Sequence, residues 1–489
     1  MLTDQIFRWA STRPDKTAII QDGDRITYAE FWRRIQSTKD FLRSKDVPRR
    51  GVCVVISTLI SESWIICLAL RDLGVTTVVV NDANAVKEFN FSDLSCIIVA
   101  HQDSVYQTST NSLNIGAQLI LMPHEAIKGV QTAELCRDCE YNEPIGGHII
   151  YTSGTTGAYK KILLSSALED ARNKERARSR SFGEATVLNG LRFPVWAGMG
   201  FKNPSAIWHV GASIVFDQRP NSIANLLDHG VSCAYLTPIM MRELAYLLKH
   251  TNSWRSSASF RVTAVAGFLS PRIARDIFRS LTRKIEILYS ATELTVSPMK
   301  SVFRNDDDAF WLRIEHGRRV EVVSESGHVC APGEQGFLRI QTTGLDSCRY
   351  FEDDEATKDH FRDGFFYPGD IAVTRPDGRV RILGRISDVI NMQGVKIPVA
   401  PLEQDLQNFL DAQDVCVFSH LNNIGQEELL IAVEGSSPLD ERKMESIRQQ
   451  FASFDSIKFH ILECFPRTLS ETRKVRRFTL RNMLVDQRV

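Results

Sequence analysis

The chain has 489 residues, 43% of them hydrophobic, and its 59 Lys+Arg are balanced by 59 Asp+Glu. At about 150 residues per domain this length allows two to four domains with ample core. Zero net charge gives no field that would draw nucleic acid or a membrane surface, and no apolar run reaches spanning length, so partners must be read from local sites.

Met1 to Asp15 is amphipathic through Leu2, Ile6, Phe7 and Trp9 and carries no secretory leader, so the 10 cysteines are expected reduced and the setting cytoplasmic. Ala18-Ile19-Ile20 and Ile26-Thr27-Tyr28 read as short strands about a turn at Gly23, and Ala29 to Leu42 has helical spacing through Phe31, Ile35 and Phe41. Val52 to Ile56, Thr77 to Val80 and Cys96 to Ala100 then read as strands around a helix from Glu62 to Leu73. This rhythm implies parallel pairing with right-handed crossovers. The stretch from His101 to Asn142 is polar and reads as a connection with one or two short elements. Within it, Cys136 and Cys139 form a lone C-x-x-C with no second pair, which argues against a zinc ribbon.

From Ile149 the alternation resumes as a second α/β layer. Strands are expected at Ala212 to Phe216, Cys233 to Leu236, Val262 to Ala266 and Ile285 to Tyr289, with helices at Ser222 to Asp228, Pro238 to Leu248 and Pro271 to Leu281. After Thr295 short alternating runs, Arg319 to Val323, Gly336 to Gln341, Ile371 to Arg375 and Arg379 to Leu383, suggest a small antiparallel or barrel-like unit. The last hundred residues hold helices at Pro401 to Leu410 and Asp440 to Phe451 around strands Val415 to Phe418 and Leu429 to Val433. A boundary is expected near Gly384 to Asp388.

One stretch carries the most chemistry. Ile149 to Ile162 reads IIYTSGTTGAYKKI, a strand opening into Thr152, Ser153, Gly154, Thr155, Thr156 and Gly157, followed by Lys160 and Lys161. Glycines let backbone approach a ligand, and hydroxyls, amides and ammonium groups all donate toward one centre, so a polyphosphate is the natural guest. The spacing is not that of a Walker A loop. Downstream, Tyr289-Ser290-Ala291-Thr292-Glu293 places a ring and a carboxylate at a strand end, where α/β sheets bind ligands; Glu293 could hold magnesium or could be a plain helix-start charge. Asp370, after Gly369, can accept from both hydroxyls of a ribose, and Arg385 offers a charged fork, although each also fits a structural turn or ion pair. The basic run through Arg473, Lys474, Arg476, Arg477 and Arg481 reads by itself as a solvated face.

In order, YTSGTTG at Tyr151, YSATE at Tyr289, DGFFYPGD at Asp363, GRISD at Gly384 and a C-terminal lysine motif resemble the adenylate-forming superfamily of acyl-CoA synthetases, aryl-CoA ligases, peptide-synthetase adenylation domains and luciferases. The resemblance implies an α/β fold: an N-terminal domain, residues 1–386, of two sandwich layers plus a small β-barrel-like subdomain, and a mobile α+β lid, residues 387–489, hinged at Asp388. It also implies that Thr152 to Lys160 wrap the ATP phosphates and that Ala266, Gly267 and Phe268 flank the adenine with Tyr289. Thr292 and Glu293 would contact the α-phosphate and Mg2+, Asp370 and Arg385 the ribose, and Lys474 would reach in from the lid. The implied reaction joins a carboxylic acid to ATP as an acyl-adenylate, which the thiol of coenzyme A, or of a carrier-protein phosphopantetheine, then attacks.

Several positions depart from the pattern. Tyr159 stands where proline is usual, Lys161 and Ser290 where glycine is usual, Pro368 where threonine is usual and Asn391 where lysine is usual. Lys474 comes into register only with a two-residue insertion, which leaves Arg473 at the glycine position. These changes keep open a third reading, a non-catalytic nucleotide- or acyl-binding relative. For the substrate, Phe193 to Phe201 reads FPVWAGMGF without an acid, and Asp217 lies past a strand. An uncharged acyl or aryl acid therefore fits better than an α-amino acid, with Trp196, Met199, Phe201 and Phe268 as candidate pocket walls.

Overall fold

The computed structural model describes residues 1–48, 51–80, 86, 91–100, 116–129, 135–137, 145–152, 159–219, 222–250, 259–392, 395–421, 427–436, 438–467 and 475–486. Strand and helix alternate through its first three hundred residues, and two twisted sheets result.

The larger, nine-stranded sheet runs Arg313–Ile314, Met299–Val302, Lys284–Tyr289, Arg261–Ala264, Cys233–Leu236, Val187–Leu191, Ser213–Phe216, Thr17–Gln21, Asp24–Thr27. Its interior pairs are parallel, and antiparallel strands close both edges. The six-stranded sheet runs Gln118–Met122, Leu94–Ala100, Val52–Ile56, Thr76–Val80, Gly147–Thr152, Lys160–Ser165, parallel except for the last pair. Between the sheets lie the helices Tyr28–Arg43, Ile60–Asp72 and Gly198–His209, because one core cluster joins their apolar faces to Ile19 and Ile214 of one sheet and to Val55 and Ile98 of the other. Every residue of Ile60–Asp72 is buried, as expected of a helix whose middle, Trp64 to Leu70, is apolar on all sides. Tyr28–Arg43 starts where it does because the Thr27 hydroxyl accepts from the amide of Glu30 at 3.2 Å.

Chain order misleads about the layers. The hairpin at Thr17–Gln21 and Asp24–Thr27 joins the sheet built mostly from residues beyond 186, while Gly147–Thr152 and Lys160–Ser165 complete the first sheet instead of opening the second. An apolar pattern fixes which face of a strand is buried, not which neighbour it pairs with. Ser222 to Asp228, expected as a helix, forms successive turns ending in a single 3-10 turn, Asp228–Gly230, where His229 has φ +62° and breaks any helix. The helices expected at Pro238 to Leu248 and Pro271 to Leu281 form as Pro238–His250 and Pro271–Ser280, and both cover the far face of the larger sheet.

An antiparallel sheet follows, with strands Phe361–Arg362, Phe365–Phe366, Gln335–Gln341, Asp370–Thr374 and Val380–Arg385, and Val320–Val323 on Gln335–Gln341. Beyond a hairpin, Val389–Met392 with Val395–Pro398, a small α+β unit is built from Asp414–Leu421, Glu427–Glu434 and Ser456–Leu462 with helices Val399–Leu410, Glu441–Gln450 and Arg477–Asp486. The molecule is thus a large α/β unit of several sheets followed by a small α+β unit. Among the described residues no helix is long and apolar enough to cross a membrane.

Candidate active site

The carboxyl ends of two neighbouring parallel strands, Arg261–Ala264 and Lys284–Tyr289, in register at Ala264 and Ile287, open onto the candidate site. After the first strand the chain turns at Ala266, whose φ of +63° is uncommon for a residue with a side chain. Gly267 and Phe268 are exposed there. The Phe268 ring, 43% exposed, stacks at 5.3 Å and 28° on Phe310, which leaves its other face open to a flat partner.

Tyr289 ends the second strand. Its phenol donates to Asp370 Oδ2, and Asp370 Oδ1 pairs with Arg385 Nε at 2.9 Å. The last two residues sit opposite each other in one antiparallel pair of strands, so the ion pair follows from register. Arg385 also donates to the Pro368 carbonyl. Asp370 is buried, and burial together with its charge pushes the Tyr289 phenol well above its usual range.

Past Ser290 and Ala291, Glu293 is buried and its Oε1 accepts from the Tyr350 phenol at 2.7 Å. Burial, then Glu293, raises the pKa of that phenol. The Lys160 ammonium lies 5.2 Å from the Tyr350 ring centroid and contacts His360 Nε2. His360 Nδ1 lies 2.7 Å from the Tyr367 carbonyl, an acceptor only, so Nδ1 carries the proton and Nε2 is free to accept from Lys160. Burial lowers the Lys160 pKa, and Glu293 opposes that shift. Tyr350 and His360 are functional candidates the sequence reading missed; each is a single residue with no spacing signature.

Thr152 and Lys160 are paired partners at the loop end of the hairpin Gly147–Thr152 and Lys160–Ser165. Ser153, Gly154, Thr155, Thr156 and Gly157 between them, and Lys474, lie outside the described residues. Lys161, at a position where the motif has glycine, turns to Glu352 at 2.7 Å and over the Phe91 ring at 4.8 Å.

The segment carrying Thr292 and Glu293 is clamped from behind. The buried Lys202 ammonium donates to the carbonyls of Thr292 at 2.6 Å and Leu294 at 2.9 Å, and Arg176 donates to the Thr295 carbonyl at 2.6 Å. Burial, with Arg176 and Arg172 nearby, brings the Lys202 pKa down to about 7. A methyl group at Gly198, where the helix Gly198–His209 begins, would stand 3.3 Å from Thr292 Cγ2. The sequence reading did not single out Lys202.

The four suggested pocket walls are not equivalent. Phe201 is a core ring sandwiched between His148 at 4.1 Å and Trp64 at 5.0 Å, though one edge reaches a cavity beside Lys202. Met199 faces a second small cavity with Asn189 and Tyr235. Trp196 packs beside Tyr151 at 6.2 Å between ring centroids, and its carbonyl accepts from the Tyr151 amide at 3.0 Å. Asp217 is engaged by Arg219 at 2.7 Å. Asp388 lies between the last strand of the antiparallel sheet and the hairpin that follows, its amide donating to the Arg385 carbonyl at 3.0 Å and its carboxylate 3.7 Å from Arg477 Nε.

Known proteins share this architecture. The chain is 24% identical over 486 residues to a 2-succinylbenzoate–CoA ligase of Bacillus licheniformis, covering 94% of this chain and 96% of the relative. It is 23% identical over 430 residues to bacitracin synthase 1 of the same species, covering 83% of this chain but 8% of that protein. The ATP-bound structure of MatB from Rhodopseudomonas palustris superimposes with a TM-score of 0.80 at 18% identity over 100% of both chains, a likeness of fold. The family model for AMP-binding enzymes matches residues 6–347. With the motif order and the two-unit fold already in place, that match settles the matter: the chain belongs to the AMP-binding enzymes, the adenylate-forming superfamily of acyl-CoA and aryl-CoA ligases.

Proposed function

We propose that this protein activates a carboxylic acid with ATP to an acyl-adenylate, releases pyrophosphate, and passes the acyl group to the thiol of coenzyme A. The observation that carries the reading is the meeting of Lys160, Glu293 and the Asp370–Arg385–Tyr289 cluster at the carboxyl ends of adjacent parallel strands. Attack of a carboxylate on the α-phosphate of ATP brings two anions together, so the barrier falls only where fixed positive groups face the accumulating charge. Lys160 and the loop from Thr152 would hold the β- and γ-phosphates, and Thr292 the α-phosphate. Ala266, Gly267, Phe268 and Tyr289, with the backbone of Ser290 and Ala291, would enclose the base, and Asp370 with Arg385 would hold the ribose. Lys474 is the candidate for the cation supplied by residues 387–489, which we read as a lid turning about Asp388.

Glu293 fits the role of magnesium ligand. Among the described residues no three His, Cys, Asp or Glu side chains cluster as a metal cage, and a lone carboxylate beside bound phosphates is the arrangement magnesium commonly takes. When bound, the ion supplies charge neutralisation on phosphate oxygens. Tyr350, by donating to Oε1, holds the carboxylate in place. The substrate carboxylate is already ionised, so no side-chain nucleophile or base is required.

Coenzyme A is favoured as acceptor because the CoA ligase is matched over 96% of its length, whereas the synthase is matched over 8% of its own. A carrier-protein phosphopantetheine is the second reading. A panel of carboxylic acids assayed for pyrophosphate release, with and without CoA, tests both. Release and AMP formation with no consumption of CoA would move the acceptor to a carrier, and no release with any acid would leave a nucleotide-binding relative without this activity.

A further inference from the structure

Behind the Thr292–Glu293 segment, a cavity opens between the helix Glu169–Ser179 and the helix Gly198–His209. Leu164 and Phe201 form part of its wall, but its polar lining is cationic: Arg172, Arg176 and Lys202, with Asn173 beside them and Glu169 as the acid. That acid is committed elsewhere. Glu169 Oε1 is paired with Arg71, and Oε2 accepts from the Leu2 amide at 2.7 Å. Asp346, the next acid, is held by Arg318 at 2.8 Å and by the Thr295 amide at 2.7 Å, and Glu293 by Tyr350.

The cations exceed what these acids neutralise, and donors are left over. Arg172 donates from Nε to the Leu345 carbonyl at 2.9 Å, but its buried Nη1 has no partner among the described residues. Among the described residues no partner meets Nδ2 of Asn173, which is 5% exposed, nor Nε and Nη1 of Arg71, whose guanidinium lies over the Phe201 ring at 5.6 Å. Burial, then the nearby Arg176 and Arg172, draws Lys202 down to about 7, with Glu293 and Asp346 opposing, and burial with Arg180 draws Arg176 down to about 9. Buried cations and amide donors in such excess are costly unless something anionic completes them.

The cavity is adjacent to the reaction site. Gly198 lies against Thr292, and Lys202, four residues on and about 6 Å further along the same helix face, bonds the Thr292 carbonyl. We propose that this cavity takes a second carboxylate of the substrate, so that the acid activated by this protein is a short dicarboxylic acid. One carboxylate stands at Gly198 and Thr292 for attack on ATP, and the other is received by Arg172, Asn173 and Lys202. This rests on the acid-activating reading, and it replaces the expectation of an uncharged tail. Arg172 and Asn173 act as specificity-determining residues and touch no reacting atom.

The test uses the full chain with ATP and magnesium and compares kcat/KM for malonate, succinate and glutarate with propionate, butyrate and valerate by pyrophosphate release. At least one diacid is expected to exceed its equal-length monoacid by about tenfold or more, mainly in KM, as a charge-assisted pair would provide. Arg172→Gln and Asn173→Leu should each lower that ratio. Binding of the same diacids without ATP, by calorimetric titration, reads the cavity independently of catalysis and should weaken in Arg172→Gln. Equal or better use of monoacids, or a diacid preference that survives both substitutions, overturns the proposal. A protein that binds a diacid in an Arg172-dependent way yet forms no AMP keeps the anion site and loses the activation reading. One that activates monoacids but neither binds nor prefers diacids does the opposite.

Discussion

The Tyr350 phenol reaches Glu293 Oε1 at 2.7 Å across 57 positions of sequence, so the orientation of the candidate magnesium ligand depends on a residue outside every recognised motif. Removing only the hydroxyl, Tyr350→Phe, leaves the ring under Lys160 in place and frees the carboxylate. Losing a hydrogen bond to a charged group costs about 1.5–3 kcal/mol. Acid-dependent ATP–pyrophosphate exchange should therefore fall by about tenfold to a hundredfold, with a raised magnesium requirement. Exchange at wild-type rate across a magnesium titration would remove Tyr350 from the site.

Lys474→Ala should reduce adenylate formation strongly while ATP binding, followed by titration, stays near the wild-type level. Substrate positioning by the large unit is then separated from charge supplied by the small one. If exchange persists in this variant, Lys160→Ala is the next comparison, because Lys160 is the cation the structure sets beside Tyr350 and His360.

Phe268 presents one face to Phe310 and leaves the other open. Stacking of this kind is worth about 0.5–1.5 kcal/mol, so Phe268→Ala should raise the KM for ATP by up to about tenfold and leave kcat nearly unchanged. A fall in kcat at unchanged KM would place the ring against the acid instead of the base.

A pH dependence follows from His148. It is fully buried, its Nδ1 lies 2.8 Å from the Thr77 hydroxyl and its Nε2 3.2 Å from the Val195 carbonyl, and burial, with Arg71 nearby, lowers its pKa from 6.5 to about 3. Between those values the unfolded chain binds a proton that the folded chain refuses, so stability is full above 6.5 and is lost as pH falls toward 3. His148→Gln should flatten this acid limb. Glu403 in the small unit acts oppositely: burial raises its carboxyl from 4.5 to about 7, so the folded state holds a proton the unfolded state releases, and stability rises as pH falls through that window. Hydrogen exchange of the strand Gly147–Thr152 isolates the His148 effect, which should appear there as a smaller loss of protection in the variant between neutral and acidic pH.

Arg477 holds the small unit together. It pairs with Glu403 at 2.7 Å, donates to the Val417 carbonyl at 2.9 Å, and lies over the Phe418 ring at 4.8 Å. Arg477→Ala strands a buried carboxyl and should destabilise this unit by about 3–5 kcal/mol, read as faster hydrogen exchange in Asp414–Leu421. Adding Glu403→Gln should recover part of the loss. The sequence run containing Arg477 looks like a solvated basic face, and only the packing of the helix Arg477–Asp486 brings this one guanidinium inside.

What could be read from sequence divides along physical lines. Strands such as Val52–Ile56 and Thr76–Val80 are runs made almost wholly of β-branched residues, and the motif loops owe their composition to local backbone and ligand chemistry, so both were legible. The helix Gly198–His209 was not, because Gly198, Gly200 and Pro204 read as breakers. In the fold they are packing requirements: a methyl group at Gly200 would lie 2.0 Å from the Pro194 carbonyl. Tyr350, His360 and the cations behind Thr292 were hidden for a different reason. They belong to contacts between distant segments, and nothing in their immediate neighbours announces the partner.

The placement of the first hairpin bears on how the molecule is made. Thr17–Gln21 lies alongside Ser213–Phe216, so this strand must stay unpaired on that flank until almost two hundred further residues have been synthesised. Over that interval an apolar edge rich in isoleucine is open to solvent and to other nascent chains. Substitutions that make the exposed edge of this hairpin more apolar should consequently damage yield during translation far more than they damage the finished protein.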